Sequence, residues 1–232
     1  MNVLVLTGAG ISAESGIPTF RGPDGLWEGH RVEDVATPEA FERDYDLVQK
    51  FYNGRRAALQ SKSVQPNAAH LALAEFERNH TGKFLLVTQN IDDLHQRAGS
   101  HNVLPMHGQL MKARCIDSGA LFDWTGDLSA QTPHPNDASI HGRLRPHVVW
   151  FGEMPIGLEQ IDEAARSADV FIAIGTSALV YPAAGIVQAT KPSCRRVEVN
   201  LDDTPQSSVF DTTIRGKASV EVPKFLASLT NG

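Results

Sequence analysis

Val3-Leu4-Val5-Leu6-Thr7-Gly8-Ala9-Gly10-Ile11-Ser12-Ala13 is the stretch that decides the fold. Four apolar residues in unbroken succession suit a strand covered on both faces. The G-x-G-x-x-A pattern directly behind puts small residues where a strand turns into a helix, and backbone N–H groups there can approach a pyrophosphate. The same glycines also suit a tight turn with no ligand, so the residues that follow must decide. A hydride-transferring dinucleotide enzyme continues with a full helix, a second strand and an acid about 20 residues on. Here Pro18 ends the helix after little more than a turn, and Thr19-Phe20-Arg21-Gly22 follows as a loop. No apolar second strand comes before Lys62, so the nucleotide site reads as Rossmann-like but rearranged.

Working outward, further short apolar runs occupy residues 84–88, 103–106, 148–150, 170–174, 196–199 and 220–222, and each reads as a strand. Thr37-Pro38-Glu39 supplies an N-cap, a proline at the first helical position and an early acid, predicting a helix to about Gln60. Pro66 opens a second, with Ala69, Leu73 and Phe76 at i, i+4 and i+7. Residues 158–168 and 182–190 read as two more. Strands alternating with helices predict an α/β fold, a Rossmann-like doubly wound parallel sheet. Two segments break the alternation: 22–62 lacks strands, and 114–146 is polar and rich in Asp, Pro, His and Gly. They predict a smaller inserted lobe of about 23–65 and 114–146, beside a large lobe of about 1–22, 66–113 and 147–232, in one domain spanning 1–232.

The 232 residues suffice for one substantial core. Hydrophobic residues make up 41% and charged residues 21%, an ordinary globular balance, and the formal net charge is −6. That charge predicts no nucleic acid and no membrane surface as partner. No apolar run approaches the roughly 20 residues of a membrane helix, and the N-terminus lacks the basic and apolar regions of a secretory signal. With only Cys115 and Cys194 the chain is no disulfide scaffold, and a cytoplasmic location is expected.

In an open α/β sheet, ligands sit beyond the carboxyl ends of the strands. Residues 84–88 end in Gln89-Asn90-Ile91-Asp92, amides and a carboxylate suited to ribose hydroxyls and a carboxamide. Residues 170–174 end in Gly175-Thr176-Ser177, small and hydroxylated. Residues 196–199 end in Asn200-Leu201-Asp202, which can accept hydrogen bonds from a second ribose. Each alone could be turn chemistry; with the glycine loop they point to a dinucleotide. His107, in Pro105-Met106-His107-Gly108, stands at another strand end, where an imidazole of ordinary pKa ~6.5 can act as base. Gly108 beside it would let a substrate approach closely.

These residues together resemble the sirtuins, a family of NAD-dependent protein-lysine deacylases. The matching stretches are Gly8-Ala9-Gly10-Ile11-Ser12, Gly16-Ile17-Pro18-Thr19-Phe20-Arg21, Thr88-Gln89-Asn90-Ile91-Asp92, Met106-His107-Gly108, residues 146–153, Gly175-Thr176-Ser177 and Asn200-Leu201. The resemblance implies that NAD is consumed as a co-substrate. Gly8, Ala9, Gly10 and Ser12 would line its phosphates, and Phe20 and Arg21 belong to a cofactor loop. Gln89, Asn90, Ile91 and Asp92 would hold the nicotinamide and its ribose. Gly175, Thr176, Ser177, Asn200, Leu201, Asp202 and Ala218 would surround the adenosine half. Catalysis would fall to His107 and Asn90, with His107 removing a ribose hydroxyl proton. The products would be free lysine, nicotinamide and O-acyl-ADP-ribose. Val148, Phe151 and Gly152 would pair with the acylated-lysine protein substrate as an added strand.

Within the family the chain resembles the bacterial class III branch, which removes succinyl and malonyl as well as acetyl groups. Ala36 leaves room for a longer acyl chain. Tyr52 and Arg55, three apart on a helix, share a face and can grip a carboxylate. Most sirtuins hold a structural zinc with four cysteines in the small lobe. Here only Cys115 is present, Ser118 stands three residues on, and Asp117, His134 and His141 match no standard spacing. No structural zinc and no other metal is therefore expected. An ADP-ribosyltransferase and a non-catalytic NAD- or ADP-ribose-binding module share the same nucleotide site and remain open at this point.

Overall fold

The computed structural model describes residues 1–19, 27, 29–177 and 181–230. In chain order its strands are β1 (Val3–Thr7), β2 (Phe84–Thr88), β3 (Val103–Pro105), β4 (Gly108–Cys115), β5 (Leu121–Asp123), β6 (Pro133–His134), β7 (Asp137–His141), β8 (Leu144–Val148), β9 (Val170–Ile174), β10 (Arg195–Asn200) and β11 (Thr212–Arg215). Its α-helices are α1 (Ala9–Ser12), α2 (Val32–Val35), α3 (Pro38–Arg43), α4 (Tyr45–Leu59), α5 (Ala68–Asn79), α6 (Leu94–Ala98), α7 (Leu158–Ser167), α8 (Ile186–Ala189) and α9 (Ala218–Thr230).

Six strands form one sheet in the order β11-β10-β9-β1-β2-β3, with every pairing parallel. Alternation along the strands explains why both faces are covered. Val3 and Val5, with Leu86, Ile172, Val197 and Val199, pack against α5 and α9 through Leu73, Phe76, Val222 and Phe225. Leu4 and Leu6, with Val87, Phe171 and Ala173, pack on the other face against Ile161 and Ala165 of α7 and Ile186 and Val187 of α8. This is the expected doubly wound α/β sheet. The chain runs outward from β1 to β2 and β3, then returns to β9 on the other side of β1. The strand order therefore switches at β1, which opens a crevice at the carboxyl ends of β1 and β9.

Three local readings differ from the expectation. Residues 220–222 are helical, inside α9, because Ala218, Val222, Phe225 and Leu226 bury one stripe at helical spacing. The edge strand is instead β11, a polar Thr-Thr-Ile-Arg sequence with few buried residues. The helix expected as far as Gln60 is broken at Asp44, whose extended backbone stops α3 and whose carboxylate accepts from Leu47 N at 3.0 Å to cap α4. The apolar 148–150 run does not join the parallel sheet; β8 ends at Val148 and pairs antiparallel with β4.

Beside the large sheet stand a three-stranded antiparallel sheet, β5-β4-β8, and the β6–β7 hairpin. An apolar cluster of Val35, Ala36, Val48, Phe51, Tyr52, Leu110, Val148 and Trp150 packs α2–α4 onto β4 and β8. Arg56 crosses this region fully buried. Its Nε donates to Leu110 O at 3.0 Å and its Nη1 to Asn53 Oδ1 at 2.9 Å and Gly126 O at 3.1 Å. Burial brings its pKa down to about 10. Arg56→Met keeps much of the volume but leaves the buried Leu110 carbonyl without its donor and frees Asn53 Oδ1 and Gly126 O as well. It is expected to lower unfolding free energy by about 2–4 kcal/mol, read as a shifted urea midpoint at unchanged slope.

Candidate active site

The glycine loop after β1 and the loop after β9 touch backbone to backbone. Gly8 N donates to Ile174 O at 3.0 Å, Gly10 N to Gly175 O at 2.8 Å, and Gly175 N to Val199 O at 2.9 Å. A Cβ on Gly10 would stand 2.7 Å from Gly175 Cα, and one on Gly8 2.9 Å from Thr176 Cα. Gly175 has φ +58° and would meet Ile11 N at 2.5 Å. The glycines are thus required by each other, loop against loop. The N–H groups of Gly8 and Gly10 hold the end of β9 and do not themselves reach outward, which amends the sequence-based account of why they are small.

Polar side chains ring this floor. Asn90 donates from Nδ2 to Gly8 O and to Ser12 Oγ, both at 3.1 Å. Ser12 Oγ donates to Asp92 Oδ2 at 2.9 Å, and Leu94 N to Asp92 Oδ1 at 3.0 Å. Burial pushes the Asp92 carboxyl up, with those two donors pulling it back. Gln89 Nε2 reaches Thr176 Oγ1 at 2.9 Å, and Asn200 Nδ2 donates to Thr176 O at 2.9 Å, so the ends of β2, β9 and β10 are tied together. Ala9 is half-buried, Ile91 packs toward the α2–α4 cluster, and Ala218 opens α9 within the core that holds Ile11. Ser177, Leu201 and Asp202 are exposed at the rim. Phe20 and Arg21 lie outside the described residues. Thr88, given no role of its own from the sequence, fixes the main chain of this loop: its Oγ1 accepts from the Asn90 backbone N–H at 3.1 Å.

His107 occupies the joint between β3 and β4, where the chain leaves the parallel sheet. Its Nδ1 is 3.0 Å from Gln89 O. A carbonyl only accepts, so Nδ1 carries the hydrogen and the neutral ring keeps its lone pair on Nε2. Burial lowers the His107 pKa below its ordinary value, so the base form dominates at neutral pH. Gly108 has φ +86°, and a Cβ there would collide with His147 O. The need for glycine therefore comes from β8, and the expected role in substrate approach is replaced by a packing one.

The remaining candidates meet on the side of α4. Phe151 N donates to Ala36 O at 3.0 Å, and Val149 N to His107 O at 2.9 Å, so the segment after β8 runs from the main chain of His107 to the end of α2. Val148 is buried in β8, Phe151 is partly exposed, and Gly152 has φ +90° with open space where a Cβ would stand. Tyr52 is fully buried and its oxygen accepts from Trp150 Nε1 at 3.0 Å. Arg55 is half-buried, its guanidinium 4.3 Å from the Trp27 ring centroid and 5.7 Å from that of Phe51. Trp27 and Trp150 were not singled out from sequence, since only the tertiary fold brings them to Arg55 and Tyr52.

A family model described as the Sir2 family matches residues 8–182. The chain belongs to the Sir2 family. The NAD-dependent protein deacylase of Rhodopirellula baltica is 70% identical, over 97% of this chain and 98% of its own length. That of Escherichia coli strain K12 is 57% identical, over 99% of this chain and 82% of its own. A solved Sir2 homologue in complex with NAD superposes with a TM-score of 0.86 at 41% identity, covering 99% of this chain and 89% of that one. The Sir2 fold accounts for the crevice at β1 and β9, and its donor-rich rim fits a dinucleotide.

The side chains of this lobe do not fit a four-cysteine structural zinc, since Cys115 is the one cysteine of residues 114–146. Among the described residues no three His, Cys, Asp or Glu side chains gather as metal ligands. Cys115 lies in a small apolar cluster with Ala113, Leu128 and Leu144, closed by Phe122 and Trp124. The Arg143–Asp117 ion pair and the packing of Phe122 against His134 at 5.3 Å tie the outer strands. Among the described residues no helix is long and apolar enough to cross a membrane.

Beneath the site, His95 Nε2 lies 3.1 Å from Thr7 Oγ1, and the His70 and His95 rings are 4.8 Å apart. Burial lowers His70 to about 4 and His95 well below its ordinary value. Both stay neutral in the folded protein while the unfolded chain takes up protons below about pH 6.5. Stability is then complete above about pH 6.5 and is lost as pH falls toward the folded values. Urea unfolding between pH 7 and 5 is expected to lose up to about 1.4 kcal/mol per pH unit for each imidazole, with His70→Gln removing one proton's worth of that slope.

Proposed function

We propose that this Sir2 protein removes acyl groups from protein lysine side chains with NAD as co-substrate, that His107 is its base, and that it takes succinyl and malonyl as well as acetyl groups. The observation that carries the reading is the placing of His107. Its Nδ1 is fixed on Gln89 O, and its own carbonyl receives Val149 N–H from the segment that leads to Ala36. Relatives at 57–70% identity bear the name NAD-dependent protein deacylase, which supports it.

When bound, NAD supplies a nicotinamide leaving group and a ribose that accepts the acyl group. Gln89, Asn90, Ile91 and Asp92 would hold the nicotinamide half, Asn90 and Asp92 being already held by Thr88, Ser12 and Leu94. Gly8, Ala9, Gly10 and Ser12 would shape the phosphate floor, and the family resemblance assigns Phe20 and Arg21 to the cofactor loop. Gly175, Thr176, Ser177, Asn200, Leu201, Asp202 and Ala218 would line the adenosine half. His107 receives a ribose hydroxyl proton at Nε2, while its Nδ1–H on Gln89 O steadies the imidazolium that results. Val148, Phe151 and Gly152 offer an edge on which the acylated-lysine protein adds as a strand. Ala36 keeps the acyl pocket wide. The Arg55 guanidinium, held against Trp27, and the Tyr52 hydroxyl grip the acyl carboxylate.

The test is NAD-dependent turnover of matched acetyl-, malonyl- and succinyl-lysine peptides. Arg55→Met is expected to lower the succinyl-to-acetyl ratio of kcat/KM by about tenfold or more. An unchanged ratio would place Arg55 outside the acyl pocket. His107→Ala is expected to lose about 10²–10⁴ in kcat. The acid limb of wild-type kcat/KM should lie below pH 6.5, because burial favours the neutral ring. Label from NAD should appear on a small acyl ester; label on protein would point to ADP-ribosyl transfer instead.

A further inference from the structure

Trp150 is the residue whose hydrogen bonding the proposed chemistry leaves unexplained. Its indole is 2% exposed and held on every side. The Arg145 guanidinium lies 3.3 Å from the ring centroid, the Phe41 ring 5.1 Å away, and the backbone N–H donates to Glu153 Oε2 at 2.8 Å. Glu153 is itself gripped by Arg145 at 2.7 Å. The direction of the indole N–H is therefore fixed by the packing, and it ends on the Tyr52 oxygen at 3.0 Å.

An indole N–H only donates, so the phenol oxygen is the acceptor in that bond. The Tyr52 hydroxyl hydrogen must then be given elsewhere. Among the described residues the bond from Trp150 is the one hydrogen bond of the Tyr52 hydroxyl, and burial keeps the phenol protonated by pushing its pKa up. A buried O–H without an acceptor is costly. A carboxylate oxygen entering beside Arg55 offsets that cost, whereas an acetyl methyl group brings no acceptor to that end.

We infer that Trp150 is a positioning residue for acyl choice: its indole N–H, donated to the Tyr52 oxygen, turns the Tyr52 hydroxyl hydrogen toward the acyl carboxylate. The inference rests on the proposal that Tyr52 and Arg55 hold that carboxylate. In Trp150→Phe the ring remains and the N–H is gone, so the hydroxyl becomes a free rotor and serves the carboxylate less well.

The experiment measures KM and kcat on succinyl- and acetyl-lysine peptides for wild type, Trp150→Phe, Tyr52→Phe and the double variant. Trp150→Phe is expected to raise KM for the succinyl peptide about 5–10-fold relative to the acetyl peptide, with kcat for the two peptides changing alike. The double variant should be no worse than Tyr52→Phe alone, because the two residues act through one hydroxyl. A Tyr52→Phe effect without a Trp150→Phe effect, or additive effects, would overturn the inference and leave the carboxylate-binding proposal standing. No acyl preference in wild type, or none lost in Tyr52→Phe, would overturn both. A second readout needs no variant that must refold. The Trp150 indole N–H resonance of wild-type protein should move on adding succinyl-lysine peptide and stay still with acetyl-lysine peptide; equal movement would count against the inference.

Discussion

The contact of Gly8 and Gly10 with Gly175 is the constraint on which the rest of the site depends. Two loops that leave neighbouring strands, β1 and β9, meet through backbone atoms alone, with Gly10 N bonded to Gly175 O. Because β1 and β9 lie side by side where the strand order switches, this contact forms the floor of the crevice. Three amides of the rim are bonded to that floor. Asn90 bonds to Gly8 O, Gln89 to Thr176 Oγ1, and Asn200 to Thr176 O. A side chain at any of the three glycines would separate the loops and misplace all of these groups at once.

The second organising feature is the passage of the chain from β3 through His107 into β4. A residue at that joint belongs to both sheets. Its ring is anchored to the strand-end loop of the large sheet through Gln89 O, and its carbonyl to the segment after β8 through Val149 N. The strand-end loop of the large sheet and the segment after β8 are therefore registered to one residue. The small lobe achieves this with an apolar cluster around Cys115, exposed ion pairs and the buried Arg56.

Much of this was legible in the sequence, and the reasons for the rest are physical. The strands facing helices on both sides announced themselves as apolar runs, and the residues at their carboxyl ends gave the rim. The edge strand β11 was hidden because an edge needs few buried side chains, so Thr212–Arg215 carries no apolar signal. Val220 and Val222 looked like a strand by residue type, although the 218, 222, 225, 226 spacing marks a helix. The glycine motif was read through the ligand it might meet, whereas its tightest contacts lie within the chain. Trp27 and Trp150 could not be found by spacing, since each acts on a residue distant in sequence.

Arg55 and Arg56 are neighbours in the chain and differ by about 100° around α4. Arg56 is wholly buried and bonded to main-chain carbonyls across the lobe, while Arg55 lies half-buried against an aromatic face. Less than a third of a helical turn thus separates the arginine that secures the fold from one whose guanidinium lies against an aromatic ring. Such a division makes the pocket evolvable. On the proposed role of Arg55 and Tyr52, substitutions there would redirect the protein among acyl groups of different charge and length, while the neighbouring position keeps the stability margin that most mutations erode.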